Sequence, residues 1–187
     1  YDWMYNAAGY AAVWATENTR AALWDAMQRK EVYATSGTRM TVRFFGGWNF
    51  AAADTRSRQV AEIGYARGVP MGADLPKAAD GAKAPTFLVA AMKDAQGGNL
   101  DRIQIIKGWV DEAGAPQEKI YDVAWGDAQQ RKPGKDGKLP PVGDTVDIPT
   151  TTWTNTIGDP ELIRVWADPD FDPAQRAFYY ARVIEIP

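Results

Sequence analysis

Apolar and polar positions change their period once along this chain, and the change divides it. From Thr16 to Arg29 the apolar residues Ala22, Leu23, Ala26 and Met27 fall one, three and four apart, which predicts one stripe of an α-helix. Thr16 or Asn18 is the expected cap, because a short polar side chain accepts from the free N–H groups of a first turn. Beyond Glu31 the pattern becomes two-fold. Val32, Tyr33 and Thr35 are β-type residues, and Arg39–Phe45 alternates Met40, Val42 and Phe44 with Thr41 and Arg43 until Gly46-Gly47 breaks it.

Further strands are predicted at 59–65, 86–92, 102–110, 118–125, 161–167 and 176–186, with an extended threonine-rich stretch at 145–155. The last of these strands suits a central place in a sheet. Residues 51–58 read as a loop, "RGVPMGADLP" as a turn, "DEAGAPQEK" as a hairpin connection, and "GDAQQRKPGKDGKLPPVGD" as a long exposed loop. The whole predicts a mainly β fold, an antiparallel β-sandwich of about eight strands with an N-terminal helical segment beside it. Residues 1–15 are rich in aromatics and alanine without a clean period, as in a stretch that packs on a partner surface.

Composition narrows the chemistry. With 45% apolar residues and 8 Trp, 8 Tyr and 6 Phe among 187, there is ample material for a core. Net charge is −3 with both signs interspersed, so no basic block points to nucleic acid. There is no apolar run of about 18 residues that would span a membrane. The chain has no cysteine and no histidine. Thiolate and imidazole are the common ligands and nucleophiles of hydrolytic centres, so Ser-His-Asp and Cys-His arrangements are excluded. Lack of cysteine leaves cytoplasm and periplasm both open. The opening "YDWMYNAAGY" has neither initiator methionine nor a basic signal region, and reads as cut from a longer protein.

Three features carry candidate chemistry. In the turn Thr35-Ser36-Gly37-Thr38-Arg39, a left-handed Gly37 would aim backbone N–H groups at an anion, and the hydroxyls of Ser36 and Thr38 with the Arg39 guanidinium would complete the cradle. The same residues also suit an ordinary corner. Asp168, Asp170 and Asp172 recur like the start of a calcium loop, but the two prolines and the missing later glutamate oppose an EF-hand. Trp48, Trp109, Trp125, Trp153 and Trp166 would serve a carbohydrate-binding face if exposed in a row, and a core if not.

Four longer stretches carry a resemblance. "VWATENTRAALWDAMQRKEVYATSGTRMTVRFFGGW", "GNLDRIQIIKGWVDEAG", "EKIYDVAWGD" and "DPDFDPAQRAFYYARVIEIP" resemble the C-terminal part of a bacterial family of unknown function that is similar to the polymerase-and-histidinol-phosphatase (PHP) metallohydrolases. The resemblance implies that residues 1–37 are the last helix and strand of an upstream β/α barrel. Residues 38–187 would then be a β-rich C-terminal domain. It implies a parent hydrolase using a divalent metal (Zn, Mn or Fe) held upstream, with no metal ligand, catalytic residue or cofactor in this chain. Ser36, Thr38 and Arg39 would be substrate-side contacts near the barrel mouth. The implied partners are the upstream barrel and, for oligomer contacts, other copies. The alternative is a self-contained carbohydrate- or ligand-binding sandwich module.

Overall fold

The computed structural model describes residues 9–78, 81 and 83–187. Among them are eleven strands, two α-helices and one 3-10 turn, with all strand pairs antiparallel.

The chain enters through β1 (Tyr10–Val13), then α1 (Arg20–Gln28), and returns through β2 (Val32–Thr35), which pairs with β1. Thr19 is the cap of α1, its hydroxyl accepting from the Ala22 N–H, so the helix begins later than Thr16 or Asn18 would place it. Most of residues 1–15 read as a docking stretch lies outside the described residues up to Ala8; from Tyr10 it is strand.

The body is a sandwich. One sheet orders β10 (Glu161–Ala167), β5 (Thr86–Met92), β3 (Thr41–Gly47) and β4 (Gly68–Pro70). The other orders β11 (Ala177–Glu185), β6 (Leu100–Val110) and β7 (Pro116–Trp125). Phe44, Phe87 and Val89 of the first meet Leu100, Ile103, Ile105 and Val123 of the second in one core. A small hairpin, β8 (Val146–Asp147) with β9 (Thr152–Trp153), stands apart.

The four-stranded sheet is apolar on both faces, and this explains a misread segment. Phe45 and Leu88 point away from the other sheet into a second core with Phe50, Val60, Ala61 and Ile63. The cover there is α2 (Val60–Arg67), not the strand expected at 59–65. Gly64 lets this helix lie on the ring of Phe45: a Cβ there would come within 2.5 Å of it. With glycine and small residues in the segment its period was ambiguous, and the need to cover Phe45 decided it.

Other differences are smaller. Residues 52–56 form the 3-10 turn, with Asp54 accepting from the Ala51 N–H. Gly68–Pro70, expected as a turn, is the edge strand β4. The final strand β11 is an edge, not a centre; β6 holds the middle. The long loop after β7 is not wholly exposed. Arg131 is buried, its guanidinium donating to the Asp101 carboxylate at 2.7 Å and to the carbonyls of Gly126 and Pro140, and Leu139 of the same loop is also buried.

Candidate functional site

The turn singled out from the sequence lies at a cleft of about 1120 Å³. Its floor is the inward face of β3, Val42, Phe44 and Gly46 at every second position, continued by Met40 just before the strand. One wall is β2 and the turn after it, Lys30 to Thr38; the opposite wall is β11, Ala177 to Glu185. Val69 to Leu75 closes the side. Gly72 holds that segment in place: its φ is +85°, and a Cβ would lie 2.2 Å from the Lys30 carbonyl oxygen.

The turn residues have different fates. Thr38 donates its hydroxyl to Glu185 Oε2 at 2.6 Å, tying the turn to the end of β11; Glu185 Oε1 accepts the Gly98 N–H. The Arg39 N–H donates to Asp94 Oδ2 at 2.7 Å, while its guanidinium lies over the Tyr10 ring, 5.3 Å from the centroid. Backbone N–H groups of Gln96 and Arg39 hold the Asp94 carboxyl below its usual range. Arg39 does not line the cleft, whereas Ser36 and Thr38 do. Ser36 is exposed. Gly37 is not left-handed, so the expected nest of N–H groups does not form.

The aspartates of "DPDFDPAQ" are engaged internally. Asp168, 3% exposed, accepts from Lys107 Nζ at 2.8 Å and from the Tyr179 hydroxyl at 2.6 Å. Asp170 accepts from Lys119 Nζ and the Tyr121 hydroxyl, both at 2.6 Å. Asp172 caps the turn through the Ala174 N–H. Burial, helped by the bond to Asp168, raises the Tyr179 phenol far above its ordinary range, and burial with Asp170 does the same to Tyr121. Lys107, Lys119 and Tyr179 lie directly across from one another on three neighbouring strands. The signal in the sequence was the parity of Lys107, which shares the inward face with Ile103 and Ile105.

Among the described residues no three His, Cys, Asp or Glu side chains gather as a metal site requires. With no imidazole or thiol in the chain, and with Asp168 and Asp170 bonded to lysines, the residues present do not fit the divalent ion that the resemblance implies. No chemical step through a metal is assigned to this chain.

A second polar centre fixes the N-terminal segment. Glu31, 2% exposed, receives the Tyr65 hydroxyl, Arg43 at 3.6 Å and Arg29 at 3.4 Å. Arg43 also stacks on Trp14, 3.3 Å from the ring centroid, and Trp14 Nε1 donates to the Val42 carbonyl. On α1 of this segment Trp24 and Met27 are exposed together. Of the five tryptophans weighed for sugar binding, Trp153 is exposed and the other four are half-buried.

Fold and cleft together define a mainly β, antiparallel two-sheet protein with an opening between one sheet edge and an added two-stranded arm. A family model described as "Protein of unknown function (DUF3604)" matches residues 1–187, and the chain belongs to that family. No curated protein and no solved structure matches it. No helix among the described residues is long and apolar enough to cross a membrane.

Proposed function

We propose that this chain is the non-catalytic C-terminal part of a PHP-like metal-dependent hydrolase, and that it shapes the substrate entrance. The observation that carries the reading is the position of Ser36 and Thr38 at the cleft, joined to the resemblance of "EVYATSG" to a segment at a barrel mouth. Substrate would be contacted by the Ser36 hydroxyl, while Thr38 holds the turn through Glu185. The exposed Trp24 and Met27 of α1 are the face that would dock on the upstream barrel. The parent reaction would be phosphoester hydrolysis, with its metal ligands supplied upstream.

The test compares this chain with the longer parent protein on generic phosphoesters, with manganese or zinc added. Turnover by the parent, none by this chain, and a raised KM in the parent carrying Ser36→Ala support the proposal. Turnover by the purified 187-residue chain with a stoichiometric bound ion refutes it.

A carbohydrate-binding reading draws on Phe178 and Tyr180, two exposed rings stacked at 6.4 Å on the outer face of β11. Saturable binding of soluble glycans, lost in Phe178→Ala, would favour it.

A further inference from the structure

The walls of the cleft are strand edges rather than strand faces. A strand that turns one face to a cavity lines it with every second residue, as β3 does. β11 lines it with all nine of its residues, and β2 with all four. Among the described residues β2 pairs only with β1, and β11 only with β6. Each therefore turns toward the same space a row of backbone N–H and C=O groups that no other strand among the described residues pairs. Among the described residues the sandwich also sets three strands against four.

We propose that the cleft accepts an extended polypeptide strand supplied in trans, which pairs with β2 on one side and β11 on the other. The argument is complementarity of partial charge. Alternating donors and acceptors on both walls are matched by a polypeptide backbone, which carries the same alternation on both of its edges. The floor fixes the side chains. Val42, Phe44, Met71 and Leu75 favour an apolar residue at alternate positions of the incoming strand. The bond from Thr38 to Glu185 joins the two walls where both strands end, so the strand enters from the other end. Bound, it would join the two-stranded arm and the three-stranded sheet into one. This goes beyond the hydrolase reading and does not depend on it, since binding is measured without any turnover.

The probe is an end-capped peptide of alternating valine and threonine with a lysine at each end. Its control is the same sequence N-methylated at alternate peptide bonds, which removes donors and keeps the side chains. Amide hydrogen exchange and calorimetry are read on the whole chain. Exchange should slow by about tenfold or more in both 32–35 and 177–185 with the first peptide and in neither with the second. Ala34→Arg, at an exposed position on the β2 wall, should weaken binding by about tenfold. No protection, protection of one wall alone, equal binding of the methylated peptide, or unchanged affinity in Ala34→Arg overturns the proposal.

Discussion

Replacing Lys107 by methionine tests how the two sheets are locked. Methionine keeps much of the length of lysine and removes the charge. Lys107 is 2% exposed and bonds both the Asp168 carboxylate, at 2.8 Å, and the Asp170 carbonyl, at 2.7 Å. In the variant the buried Asp168 keeps the Tyr179 hydroxyl and loses its counter-charge. Removing one partner of a buried pair costs about 3–5 kcal/mol, because the other charge stays desolvated. For a chain of this size that lowers Tm by on the order of 10 °C. Urea unfolding followed by tryptophan fluorescence, with calorimetry beside it, reads the loss. The double variant Lys107→Met with Asp168→Asn should recover part of it, since no charge is then left buried. Lys119→Ala, at the exposed pair with Asp170, should leave the midpoint nearly unchanged. A Lys107→Met midpoint within error of the parent, or a double variant less stable than the single one, would refute the account of a desolvated carboxylate.

Gly64→Ala should destabilise by about 1–3 kcal/mol in urea despite alanine's better helix propensity, because the added methyl meets the buried Phe45 ring. Glu31→Ala should cost about 2–3 kcal/mol and expose the 10–35 arm to limited proteolysis, since the half-buried Arg43 loses its carboxylate partner. Asp54, Asp94 and Asp111 have carboxyls held low chiefly by backbone N–H donors, from Ala51, Gln96 and Ala115 respectively. Their contribution is full above the unfolded value near 3.8 and is lost as pH falls below it; Asp54→Asn should flatten that acid limb of a stability–pH curve. Tyr179 and Tyr121 are raised, so the folded state keeps protons that the unfolded chain releases above 10, and stability should fall as pH rises past that point. Tyr179→Phe should make the alkaline decline shallower.

The candidate turn was legible only in part. Hydroxyls, glycine and arginine within five residues marked a place where chemistry could sit, and the turn does line the cleft. Its sequence did not say that Thr38 would be spent on Glu185, which lies 147 residues away, or that Arg39 would turn outward onto Tyr10. The aspartate run invited a metal reading for the same reason: a local pattern shows donors, while lysines on other strands decide their use.

By itself the sequence determined the alternating strand at 41–45, the short apolar β-type runs at 86–92 and 161–167, the turn chemistry between strands and the antiparallel mainly β class, because those follow from propensity and pattern over a few neighbours. Tertiary structure decided the rest. Residues 60–67 became helix because Phe45 and Leu88 needed a cover. β11 became an edge through its register on β6, and its open side became a cleft wall only once β2 stood across from it. Burial, pairing and the matching of distant charges depend on contacts remote in the chain, and no local window contains them.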